Sequence, residues 1–194
     1  MYKKISIQIF FILFIAIVVI TAVHFFVAQP FLVSGDSMQP DFASGNYLII
    51  DELSYYLHAP RRGDLVVFRY PVDPSIFFIK RLVGLPGDTV TVRSDGEVVV
   101  KPQGQKAFII DEPFIIPQTL TTATTSITLD SDEYFVLGDN RDASFDSRAW
   151  GPVPGRYIIG RVVARLWPPA QAGLFPGAYP LPQVTATTTT TIHS

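Results

Sequence analysis

The 194-residue chain carries 15 Lys and Arg against 17 Asp and Glu, a net charge of -2, and its basic residues are scattered, so it offers no electrostatic footprint for a nucleic acid. It has no cysteine, which excludes disulfides, thiolate zinc sites and thiol catalysis. Its histidines, His24, His58 and His193, stand in unrelated contexts and support neither a metal cluster nor a Ser-His-Asp triad.

From Ile5 to Val27 the chain is apolar except at Ser6, Gln8, Thr21 and His24. At about 1.5 Å per helical residue this run can span a hydrocarbon core roughly 30 Å thick, and it predicts a transmembrane helix. Lys3 and Lys4 precede it and no Lys or Arg follows until Arg61, so the positive-inside rule places the N-terminus in the cytoplasm and the remainder outside. A cleaved secretory signal is the competing reading. The run is longer than the apolar part of such a signal, and Phe26-Val27-Ala28 puts a bulky residue where a small one is required before a cleavage point.

Val33-Ser34-Gly35-Asp36-Ser37-Met38-Gln39-Pro40 comes next. Gly35 can take a positive φ without steric cost, and Pro40 stops a helix from absorbing the segment, so the Ser37 hydroxyl is held on a tight turn. A serine is a weak nucleophile unless a second group takes its proton. Alone, the cluster reads as a polar turn between two apolar runs; the nucleophile reading needs a base, and the histidine contexts do not supply one. Ser37 lies nine residues past Ala28, so at ~3.4 Å per extended residue it stays within about 30 Å of the membrane surface.

Asn46 to Asp51 reads as a strand. Arg61-Arg62-Gly63-Asp64 is a turn before a second strand, Leu65 to Tyr70, which explains the Arg-Gly-Asp triplet more simply than adhesion does. A third run, Ile76 to Asp88, contains Lys80 after Phe77, Phe78 and Ile79 and before Leu82 and Val83. Burial there disfavours the ammonium and would lower the amine from about 10.4 towards the range of a working base. The alternative is an edge-strand lysine whose amine reaches solvent.

Thr89 to Val92 and Glu97 to Val100 flank Asp95-Gly96 and predict a β-hairpin. Phe108 to Pro117 is apolar with proline breaks, and Thr119 to Thr128 is a threonine-rich loop or edge strand. Glu133 to Leu137 is a strand that delivers a long polar turn, Gly138 to Gly151, in which Asp and Arg side chains can lock a rigid loop. A last strand, Tyr157 to Leu166, precedes Pro168-Pro169. The Gly-, Pro- and Thr-rich remainder predicts a disordered tail.

Four stretches in order, Ser34 to Pro40, Arg62 to Phe68, Lys80 to Asp88, and Gly138-Asp139-Asn140 through Ser144, Asp146, Ser147, Arg148 and Gly151, resemble the bacterial type I signal peptidases, membrane-anchored Ser/Lys proteases of peptidase family S26. The resemblance runs from the anchor to about Trp167. It implies a mainly β fold: an antiparallel coiled β-sheet, barrel-like, forming a catalytic domain behind a single N-terminal transmembrane helix. The organisation it implies is a cytoplasmic stub and anchor at 1–28, an extracytoplasmic catalytic domain at 29–168 and the tail at 169–194.

The same resemblance implies Ser37 as nucleophile and Lys80 as general base, with Ser144 hydrogen-bonding the lysine amine, Asp146 and Arg148 bracing their loop, and Asp142 in support. It places Phe31, Val33, Met38, Phe42, Phe78 and Ile79 around shallow pockets for small substrate side chains. The implied partners are signal-peptide-bearing precursors and membrane lipid, close to the secretion translocon, with no nucleic acid and no metal or cofactor. Two departures matter. Asp41 and Phe42 stand where the family has threonine and leucine after Pro40, and Gly35 stands where some members carry a serine that helps hold the oxyanion. The Ser37 backbone N–H then does more of that work, and a serine at 35 would help only if the turn does not need a positive φ. The rival readings are a specialised peptidase of conjugation or pilus maturation with the same residues, and a non-catalytic membrane-anchored β domain that binds exported chains along a sheet edge.

Overall fold

The computed structural model describes residues 8–16, 29–115, 123–179 and 181–182. Residues 8–16 form a helix, α1, with every side chain exposed. The apolar run expected to span a membrane lies mostly outside the described residues, and among those described no helix is long and apolar enough to cross one.

The rest is antiparallel β structure in two sheets. The larger contains β1 (Gln29–Leu32), β2 (Tyr47–Asp51), β3 (Leu65–Arg69), β4 (Phe77–Gly84), β9 (Glu133–Leu137), β10 (Val153–Pro154), β11 (Ile158–Trp167) and β12 (Gly173–Leu174), in the order β1-β2-β11-β3-β4-β9-β10 with β12 on β11. The smaller runs β7 (Phe108–Ile109), β6 (Val98–Lys101), β5 (Thr89–Val92), β8 (Thr125–Thr128). Register irregularities between β4 and β9, and along β11 where it meets β2 and β3, are the kind of feature that bends and twists a sheet. Two short helices, α2 (Ser54–Leu57) and α3 (Ser147–Trp150), lie in connections.

Side-chain alternation explains the outer strands. In β5 and β6, Val90, Val92, Val98 and Val100 turn inward while Thr89, Thr91 and Val99 lie less deeply. Arg93 N–H donates to Glu97 O at 2.9 Å across the Asp-Gly turn, closing the expected hairpin. The middle strands do not alternate. Leu65 to Phe68, Lys80 to Gly84 and Tyr134 to Leu137 are buried without interruption, because both faces of the large sheet are covered. One face carries Val66, Phe68, Leu82, Val136 and Val153, and the other carries Leu65 and Val67 against Val33, Met38, Phe42, Leu48 and Ile50. Each such side chain contributes roughly 1.5–3 kcal/mol on burial.

The tail expectation needs correction. Residues 169–179, with Leu181 and Pro182, are not a featureless extension: Pro169–Gln171 makes a 3-10 turn, Gly173 and Leu174 pair with Arg165 and Ala164, and Phe175 N–H donates to Val163 O at 2.8 Å. Leu181 enters the core beside Val83, Val98 and Phe114. Composition pointed to disorder because Gly and Pro dominate the segment, yet Tyr179 and Leu181 supply apolar anchors and the backbone finds partners. The folded domain therefore runs to Pro182 at least, and the threonine run lies outside the described residues.

Candidate active site

β4 sits between β3 and β9, so Lys80 is on a central strand and only 3% exposed. An edge lysine reaching solvent is thereby excluded. Lys80 pairs across the sheet with Val66, and its Nζ lies 5.2 Å from the centre of the Phe78 ring. Nζ donates to Ser37 Oγ at 2.7 Å and to Ile79 O at 3.1 Å. Burial lowers the amine to about 8, while the carboxylates of Asp146 and Asp139 act in the opposite direction. Desolvation wins, as the apolar setting of the strand predicts.

Ser37 is presented by the turn after β1. Gly35 has φ +97°, in the region where a Cβ is disfavoured, and Gln39 Nε2 donates to Asp36 Oδ1 at 2.7 Å across the turn. The loop after β9 grips this turn from the other side. Asn140 N–H donates to Ser37 O at 3.0 Å and its Nδ2 to Asp36 O at 3.1 Å. Gly138 permits the approach: a Cβ there would stand 2.5 Å from Ser37 O and 2.2 Å from Ser144 Oγ. Gly138 and Asn140 meet the Ser37 turn across more than a hundred residues of chain, which no local sequence pattern reveals.

Asp146 is fully buried. It accepts from Arg148 Nε at 2.8 Å and Arg148 Nη2 at 2.9 Å, caps α3 through Arg148 N–H, and accepts Gly138 N–H at 3.0 Å. Arg148 Nη2 also donates to Arg141 O at 2.6 Å. A bidentate charged pair of this kind fixes geometry as well as contributing energy. Ser144 differs from expectation: among the described residues its Oγ is buried without a hydrogen-bond partner, and the bond to Lys80 is not made, the amine being turned to Ser37 and Ile79 O. Asp142 is exposed, on the 3-10 turn Arg141–Ala143.

A cleft of about 280 Å³ opens beside Ser37 and Lys80, with Phe31, Val33, Phe78 and Ile79 in its walls. Met38 and Phe42 are not in its lining. They are 1% and 0% exposed, packed in the core with Leu48 and Val67, because the turn points them inward. The Asp41-Phe42 departure is absorbed in the same way: Phe42 fills core, and Asp41 reaches Arg81 Nη2 at 3.2 Å. Leu48 and Val67 line the cleft although sequence reasoning missed them. They are the cross-strand partners of Phe31 and Ile79, and no local pattern reveals that register. Phe77 and Phe145 complete the apolar rim.

Ser37 N–H donates to no group among the described residues. The positive φ at Gly35 decides the question of a serine there. No atom lies within 4 Å of the would-be Cβ, so the obstacle is backbone strain rather than a clash. Gly35→Ser should cost about 1–2 kcal/mol in denaturant unfolding and should lower turnover, not raise it. A faster variant of unchanged stability would show that the turn relaxes and the added hydroxyl helps.

A serine hydroxyl and a desolvated amine in hydrogen-bond contact beside an apolar cleft can exchange a proton and attack a carbonyl, which is the chemistry of a serine hydrolase. Comparisons with known proteins define the class further. The family model described as signal peptidase, peptidase S26, matches residues 6–167. A signal peptidase I of Leptolyngbya laminosa is 37% identical over 82% of this chain and 78% of its own length, and one of Bacillus caldolyticus 35% identical over 80% and 88%. A solved signal peptidase I structure from Enterococcus faecalis V583 matches at 28% identity and a TM-score of 0.38, covering 54% of this chain and 97% of that one. The chain belongs to the peptidase S26 family of signal peptidases and is a serine endopeptidase.

Proposed function

We propose that this enzyme removes signal peptides from exported precursors, with Ser37 as nucleophile and Lys80 as general base. The observation that carries this reading is the 2.7 Å contact between Lys80 Nζ and Ser37 Oγ, made by an amine lowered to about 8. Neutral Lys80 takes the Ser37 proton as Oγ attacks the scissile carbonyl carbon, and the oxyanion forms towards Ser37 N–H. The resulting ammonium protonates the departing amine as the C–N bond breaks, leaving an acyl-Ser37 ester. Lys80, neutral again, deprotonates a water that attacks the ester, and the proton returns to Ser37 Oγ as it leaves. Asp146, Arg148 and Asn140 hold the loop that grips the Ser37 turn.

A shallow apolar cleft of this size fits small side chains at the first and third positions before the cut. Purified full-length protein given a precursor should release a product whose N-terminal sequence begins directly after a small-x-small motif. An uncut precursor, or a cut elsewhere, contradicts the reading.

Residues 1–28 are read as a cytoplasmic stub and membrane anchor, with the catalytic domain from residue 29 outside, near lipid and the secretion translocon. The positive charges of Lys3 and Lys4 before the long apolar run support this. So does the apolar rim at the cleft, where Leu32, Phe77 and Phe145 are 63%, 42% and 54% exposed. Protease added to intact spheroplasts should digest the domain, whereas full protection would reverse the orientation.

A further inference from the structure

Next to Lys80 on β4, Arg81 is 1% exposed and has all five of its N–H donors engaged. Nε and Nη2 hold Asp139 at 2.8 and 2.6 Å, Nη2 also reaches Asp41, and Nη1 donates to Gly63 O at 3.3 Å and Gly177 O at 2.8 Å. The guanidinium lies 4.0 Å from the Phe114 ring centre and 5.3 Å from that of Tyr179, and the two rings are 4.8 Å apart. Arg81 thus ties together both segments that build the site: Asp41 lies four residues past Ser37, and Asp139 sits between Gly138 and Asn140. Two of its partners, Gly177 O and Tyr179, come from the C-terminal segment, beyond the stretch matched by the family model. Pro182 O, accepting from Arg62 Nε at 3.1 Å, and buried Leu181 fasten the end of that strap.

We propose that the strap around Gly177 and Tyr179 is a positioning element for catalysis, completing the seat of Arg81 so that Asp139 and Asn140 hold the Ser37 turn in register with Lys80. This rests on the roles given to Ser37 and Lys80 above. The strap touches neither the cleft nor Ser37, so its loss acts on the chemical step and not on substrate binding. A Pro- and Gly-rich extension gains a function by this route: its backbone carbonyl serves a buried cation that otherwise keeps an unsatisfied N–H.

Gly177→Ala, which disturbs the strap where it meets Arg81 and Asp41, tests this in the full-length protein. Gly177 has φ +67°, and a Cβ there would lie 2.7 Å from Asp41 Oδ2 and 3.1 Å from Leu65 Cδ1, so the left-handed backbone is strained and either the strap or the Asp41 carboxylate gives way, loosening the seat of Arg81. Two readouts are taken, precursor kinetics and hydrogen exchange at the Asn140 amide, which donates to Ser37 O. Gly177→Ala should lose about tenfold in kcat with KM within twofold, and the Asn140 amide should exchange at least about tenfold faster. Deletion of residues 183–194, and Gly173→Ala, whose Cβ meets nothing within 4 Å, should match wild type in both. Unchanged kcat or unchanged Asn140 exchange in Gly177→Ala overturns the proposal, as does a change carried by KM alone. If Ser37→Ala still cleaves precursor, the roles assigned to the two residues fail instead, and the exchange result alone judges the strap.

Discussion

Lys80→Arg should leave no measurable precursor cleavage, although it keeps the positive charge. The base must be neutral when it acts. With the amine lowered to about 8, about one molecule in ten is neutral at pH 7, against roughly one in 2,500 for an ordinary lysine, so desolvation supplies a factor of about 250 in competent enzyme. A guanidinium gives up no proton in that range, and it would sit in a space shaped by Phe78 and Ser37. Lys80→Met is the companion test, because the same desolvation has a stability cost. The folded amine, near 8, lies below its unfolded value near 10.5, so between these values the unfolded chain binds more protons. Wild-type stability therefore rises as pH climbs from about 8 to 10.5, and the full penalty, on the order of 3 kcal/mol, is felt below 8. Lys80→Met should be inactive and about 1–3 kcal/mol more stable than wild type at pH 7 in denaturant unfolding. An active Arg variant, or a Met variant that is less stable, would mean that Lys80 is not a strained, desolvated base.

Ser37→Ala should lose at least about 10⁴-fold in kcat/KM with the domain still folded. Ser37 is half-buried, and among the described residues its hydroxyl makes one hydrogen bond, to Lys80. The backbone that shapes its turn, from the Gly35 φ to the Asn140 bonds, does not depend on that hydroxyl. The expected stability change is accordingly within about 1 kcal/mol, and melting curves of mutant and wild type should nearly coincide. Retained cleavage near the wild-type rate would remove Ser37 from the chemistry.

Much of this arrangement could be read in the residues. The Asp95-Gly96 turn marks the hairpin of β5 and β6, Glu133 to Leu137 matches β9 residue for residue, and the apolar neighbours of Lys80 fit a buried amine, although they fit an edge lysine reaching solvent as well. The features that escaped are those set by long-range register or by the direction of a turn. β1 begins at Gln29-Pro30, with no alternating pattern to mark it, and becomes a strand by pairing with β2. Met38 and Phe42 have the chemistry of pocket residues but face the core, whereas Leu48 and Val67 reach the cleft through pairing with Phe31 and Ile79. The order in residues 173–179 and at Leu181 depends on Leu181 joining the core cluster that holds Val83 and on Gly177 O finding Arg81, contacts that composition does not encode. Ser144, expected on the amine, has no hydrogen-bond partner among the described residues, a matter of side-chain direction within a loop whose backbone is otherwise tightly held.

The pH dependence of kcat/KM for the wild-type enzyme on a single precursor, followed from pH 5 to 10, tests the pairing of Ser37 with a neutral lysine most directly. The account predicts a rise of about tenfold per pH unit that bends over near 8 and levels above it, because burial has lowered Lys80 to that point. A rate that is flat across the whole range, or that falls as pH passes 8 in a protein still folded, would contradict it.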